Sequence, residues 1–74
     1  MPIVIVRPGL LDRLQRFSGI ESDAAMARTI NTSQQTLTRL KKGESPSMQT
    51  IANICEAFGL SIGEVTTLRK EVDR

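Results

Sequence analysis

The stretch SDAAMARTINTSQQTLTRLKKG, residues 22–43, decides the fold of this chain. Ser22 reads as an N-cap, because its hydroxyl oxygen can accept from one of the free amides that open a helix. Asp23 puts a negative charge where the helix dipole favours one. Met26, Ala27 and Ile30 then recur on one face, which predicts a short helix from Asp23 to about Ile30. Asn31 tolerates left-handed backbone, so a tight turn falls at Asn31-Thr32. Ser33 caps a second helix from Gln34 to about Lys42, with Leu37 and Leu40 facing inward, and Gly43 stops it.

Two short helices joined this tightly make a helix-turn-helix unit. Ala27 is small where two helices must approach closely. Leu37 and Leu40 anchor the second helix, which frees its outer face for a DNA major groove. That face carries Gln34, Gln35, Thr36, Thr38, Arg39, Lys41 and Lys42. A Gln amide matches adenine N7 and N6, the Arg fork matches guanine N7 and O6, and a Thr methyl can meet a thymine methyl. Between Asp23 and Glu44 stand Arg28, Arg39, Lys41 and Lys42 and no acidic residue. The whole chain, at a net charge of +2, conceals this local excess of positive charge.

Working outward, Leu10, Leu11, Leu14 and Phe17 share a helical face between Pro8 and Ser18, and Gly19 suits the position past its end. Downstream, Ser45-Pro46-Ser47 opens a fourth helix with Pro46 in its first turn. Met48, Ile51, Ile54, Cys55 and Phe58 form its inward stripe, and Gly59 ends it. Ser61 and Glu64 are spaced as a capping box, with Leu60 and Val65 as a hydrophobic staple. A fifth helix is therefore expected from Ile62 to about Glu71, with Ile62, Val65 and Leu68 inward and residues 72–74 fraying. The N-terminal segment, residues 1–7, is extended: Ile3, Val4, Ile5 and Val6 are β-branched, and Pro8 forces Arg7 out of helical backbone. Nothing downstream reads as a second strand. The run would therefore pair with a second copy of the chain or stay loose. The expected fold is one all-α domain spanning residues 1–74, five compact helices behind a β-prone segment.

Composition excludes other classes. With 74 residues the core is thin, but Leu, Ile, Val and Phe number 20, enough to fold. There is no His, Trp or Tyr and a single Cys. The usual general base and commonest metal ligand are missing, and neither an internal disulfide nor a Cys-rich zinc site can form. Two phenylalanines are too few for base-stacking platforms. No apolar run nears the ~18 residues of a membrane span, and the first residues lack a signal peptide's basic start. A cytoplasmic, non-enzymatic protein without metal, cofactor or small-molecule effector is expected. Cys55 reads as a small core residue.

From Ser22 to Leu68, almost two thirds of its length, the chain resembles the phage Cro/C1 repressor type of helix-turn-helix domain, a compact five-helix, lambda-repressor-like fold. The likeness is carried by Thr32-Ser33-Gln34-Gln35-Thr36-Leu37, by Ser45-Pro46-Ser47-Met48-Gln49-Thr50-Ile51 and by Phe58-Gly59-Leu60-Ser61. The resemblance implies base contacts from Gln34, Gln35 and Arg39, and Thr38, on the same outer face, is expected to join them. The resemblance also implies phosphate contacts at the start of the helix before the turn and in the loop after the recognition helix, so backbone contacts are expected from Ser22, Lys41 and Lys42, and with them from Ser33 and Thr36. The family usually has Gln at Asp23, touching a phosphate that Asp would repel, and Glu-Asn-Gly where Lys41-Lys42-Gly43 stands. The function implied is a transcriptional regulator that binds a double-stranded DNA operator as a homodimer. The dimer surface is expected around Leu60 and Ile62 or through Ile3, Val4, Ile5 and Val6. The alternative is an antitoxin-type module that grips a protein partner.

Overall fold

A computed structural model describes residues 2–70. The order of elements is β1 (Pro2–Val6), α1 (Leu10–Phe17), α2 (Asp23–Thr29), α3 (Gln34–Lys41), α4 (Met48–Phe58), α5 (Ile62–Val65) and β2 (Thr66–Lys70). Five helices form among the described residues, the first four close to where the periodicity implied, and their ends follow local chemistry. The hydroxyl oxygens of Ser22, Ser33 and Ser47 each accept from the backbone amide three residues on, at 3.1 Å. Gly59 ends α4 in left-handed backbone. Pro46 lies outside α4, not in its first turn, because Ser47 takes the capping position. Asn31 has φ +54°, and the Thr32 amide donates to the Ala27 carbonyl at 2.8 Å across the turn between α2 and α3.

The core lies between the helices and the base of the strands. Met26, Ile30, Leu37, Ile54 and Val65 are fully buried, with Leu11, Ala27, Leu40 and Val6 nearly so. Leu10, Leu14, Ile20, Cys55, Phe58 and Leu60 pack around them. Leu60 and Val65, the expected staple, both join this core.

The largest correction concerns the end of the chain. The fifth helix lasts a single turn, and the chain then extends as β2, which pairs antiparallel with β1 from Val6↔Thr66 to Pro2↔Lys70. The strand partner that periodicity did not reveal is therefore internal, and the fold is helical with a two-stranded sheet, not all-α. Val65, Thr66 and Thr67 are all β-branched and lose rotamer freedom in a helix. The Thr66 hydroxyl donates to the Ile62 carbonyl at 2.7 Å, beside the Thr66 amide that bonds the same oxygen and closes the single turn. The unpaired amides and carbonyls of β1 supply the ladder. Arg7 reinforces the junction: its amide donates to the Val65 carbonyl at 2.9 Å and its guanidinium to the Gly63 carbonyl at 2.9 and 3.2 Å. The frayed tail expected at residues 72–74 lies outside the described residues.

Four side chains expected inward are exposed: Phe17, Met48, Ile62 and Leu68. Phe17 is the last residue of α1, a third of a turn from buried Leu11. Met48 and Ile62 are the first residues of their helices. Periodicity assigns a face to a helix but not how far along the helix the cover reaches. Leu68 follows the change from helix to strand.

Candidate nucleic-acid interface

The recognition element is α3. Leu37 and Leu40 are 0% and 4% exposed and fix its inner face. The Ser33 hydroxyl accepts from the Thr36 amide and donates to the Thr36 hydroxyl at 3.0 Å. This pair of hydrogen bonds to the first turn holds the helix start. The outward face follows from spacing: residues three, four and seven apart share a side, so Gln35, Thr38, Arg39 and Lys42 align, and all four are exposed. The Thr38 hydroxyl donates to the Gln34 carbonyl at 3.0 Å, so its hydrogen is already used. Gln34, the first residue of the helix, is exposed. Thr36 is half-buried and shares a shallow groove with Arg39, Ser45, Ser47 and Thr50. Ser22, at the head of α2, is exposed.

All of these expected contacts are exposed except the half-buried Thr36, and Lys41 alone among them is held by ion pairs. Its ammonium turns back to the body of the protein. It lies 2.9 Å from Asp12 Oδ1, 3.1 Å from Asp23 Oδ1 and 3.1 Å from Gln15 Oε1. Gln15 Nε2 also donates to Asp23 Oδ1 at 3.2 Å. The hydrogen bonds from Lys41 and Gln15, with the Lys41 charge, hold the Asp23 carboxyl below its ordinary range. Burial works against the Lys41 charge, but the bonds to Asp12 and Asp23 outweigh it and raise the Lys41 pKa. Among the described residues Lys41 makes both ion pairs, which leaves Arg28, Arg39 and Lys42 as the exposed cations of this segment without one.

Sequence reasoning missed two features. Asp12 and Gln15 gave no sign of being partners of Lys41, although the place of Lys41 beside the Leu37–Leu40 stripe hints that it faces a neighbour. Arg69 had no signal at all, because it reaches the site through β2. Its guanidinium lies 2.9 Å from where a side chain on Gly43 would begin, so a strand cation stands over the turn that follows α3.

The surfaces expected to join two copies fare unequally. Ile5 and Val6 are buried in the chain's own core and cannot also face a second molecule. Leu60 is partly buried against that core, and Ile3 is half-buried. Val4 and Ile62 are exposed. Among the described residues no group of His, Cys, Asp or Glu could hold a metal ion, and no helix is long and apolar enough to cross a membrane.

A family model described as the Cro/C1-type HTH DNA-binding domain matches residues 11–71. No curated protein and no solved structure gives a match. The matched span begins inside α1, so β1, which completes the sheet, stands outside it.

Proposed function

Since this chain belongs to the Cro/C1-type helix-turn-helix DNA-binding domain family, we propose that it is a sequence-specific transcriptional regulator with a lambda-repressor-like arrangement of helices. It binds a pseudo-palindromic double-stranded operator as a homodimer and represses by occluding polymerase. The observation that carries this reading is the two-sided character of α3: one face is anchored by Leu37 and Leu40, and the other presents Gln35, Thr38, Arg39 and Lys42. Such a helix can enter a major groove without disturbing the core.

Gln34, Gln35, Thr38 and Arg39 are the base-reading residues. The two Gln amides suit adenine and the Arg39 fork suits guanine. Ser22, Ser33, Thr36 and Lys42 border that face, where phosphates flank the groove, and Arg28 and Arg69 widen the positive surface. The homodimer is supported by exposed Val4, Ile62 and Leu68.

Selection of bound sequences from a random duplex pool tests the reading. An inverted repeat is expected, with half-site centres about 34 Å apart on one face of the DNA. Affinity for it should fall on the order of 10³-fold between 50 and 200 mM salt. A pool that shows no enrichment, or protection of a single half-site at unit stoichiometry, overturns it.

A further inference from the structure

An ammonium group carries three hydrogens and no other donor. Around Lys41 Nζ stand three acceptors, Asp12 Oδ1, Asp23 Oδ1 and Gln15 Oε1, at 2.9 to 3.1 Å. Every donor of the group is therefore occupied inside the chain. With two carboxylates around one cation, the cluster carries a net charge of −1, the wrong sign to attract a phosphate. The three acceptors come from two other elements, α1 (Asp12 and Gln15) and the first turn of α2 (Asp23), whereas Lys41 is the last residue of α3. The side chain of Lys41 is 23% exposed, against 62% and 52% for those of Asp12 and Asp23, so the cation is the least exposed of the three.

We infer that Lys41 is a positioning residue and not a DNA-backbone ligand: with Asp12, Gln15 and Asp23 it clamps the last turn of α3 to α1 and to the head of α2. This sets the angle at which the reading face leaves the core. Ser33 caps the other end of α3 through its bonds to Thr36, which keep the first turn formed. Asp23 acquires a role here that its charge would deny it at a phosphate. It orients a cation, and Gln15 bridges the two. The neighbouring Lys42 has no such partners among the described residues and supplies the phosphate contact instead.

The inference rests on the DNA-binding reading for its functional consequence, and the salt dependence of operator binding separates the two lysines. Each duplex phosphate that a variant no longer neutralises lowers the slope of log affinity against log salt by about 0.9. Lys42→Ala should lower it by that amount. Lys41→Met should leave it unchanged while weakening binding and blurring the base preference that Gln34 and Gln35 impose. A slope lowered by ~0.9 in Lys41→Met overturns the inference. The double variant Asp12→Asn, Asp23→Asn covers the case in which Lys41→Met fails to fold. Releasing the ammonium should steepen the slope, whereas a lysine already on a phosphate would leave it as it was. Thermal unfolding provides the arm that does not depend on DNA. The effects of Lys41→Met and Asp23→Asn should be non-additive, as for residues in contact, and strict additivity overturns the clamp. If the wild-type chain binds no duplex while that coupling is present, the regulator reading fails and the clamp stands.

Discussion

Val4 stands directly opposite Leu68 in the antiparallel ladder, and the two are 40% and 67% exposed. Farther along the same strand, Ile5 and Val6 are 4% and 3% exposed. β1 is thus a core strand at one end and the edge of an uncovered apolar pair at the other. A two-stranded ribbon is marginal by itself, and a second copy that laid its own Val4–Leu68 pair across this one would shelter both. Replacing both residues with Thr should reduce the homodimer population in sedimentation and change stability little. Ile5→Ala should instead cost roughly 2–5 kcal/mol in chemical unfolding, as for a buried core side chain. A doubly substituted chain that dimerises as well as wild type would move the interface elsewhere.

Arg39 and Lys42 share the outward face of α3 but are expected to fail differently. Arg39→Ala should cost roughly 1–3 kcal/mol in operator affinity and relax preference at one guanine-containing pair in each half-site. Binding measured against a panel of single-base operator variants checks this. Equal losses on every sequence would make Arg39 a phosphate contact.

Acid should destabilise the protein through two exposed carboxyls. The Ser61 amide donates to Glu64 Oε1 at 3.0 Å and holds that carboxyl below its ordinary value, as Lys41 and Gln15 hold Asp23. Groups with lowered folded-state pKa values add stability above their unfolded values, about 4, and that contribution disappears as pH falls through the folded values. Lys41 is shifted upward, so its contribution is complete below about 10.4 and is lost as pH rises beyond that. Melting temperature should therefore be flat across neutral pH and fall at both extremes. An Asp23→Asn, Glu64→Gln chain should show a shallower acid limb. An unchanged acid limb would assign acid unfolding to other carboxyls.

Two glycines should respond in opposite directions to the same substitution. Gly43 has φ +95° with the Arg69 guanidinium overhead, and Gly43→Ala forces a side chain into left-handed backbone. The expected cost is about 1–2 kcal/mol, with the flexible Arg69 side chain able to yield. Gly63 lies within α5 with open space around it. Gly63→Ala should stabilise the chain by up to ~1 kcal/mol. Urea unfolding of both variants checks the pair, and equal losses would contradict the backbone argument.

The helices and turns of this protein were legible because their causes are local. A serine hydroxyl reaches an amide three residues on, Asn31 bears its own positive φ, and Leu37 and Leu40 mark an inner face within one turn of each other. Each of these is settled within a few residues of chain, and with them came the helix-turn-helix unit and most of its exposed polar face. The tertiary structure decided what depends on residues far apart. Thr66–Lys70 carries a helical pattern and becomes a strand because β1, at the other end of the chain, brings a row of unpaired backbone groups to its side. Lys41 turns away from the reading face because Asp12, Gln15 and Asp23 meet only when three helices pack together. Arg69 arrives over Gly43 by the same strand pairing. Ladder hydrogen bonds and ion pairs have no periodicity along the chain: their energy is realised only once the fold has brought the partners within about 3 Å.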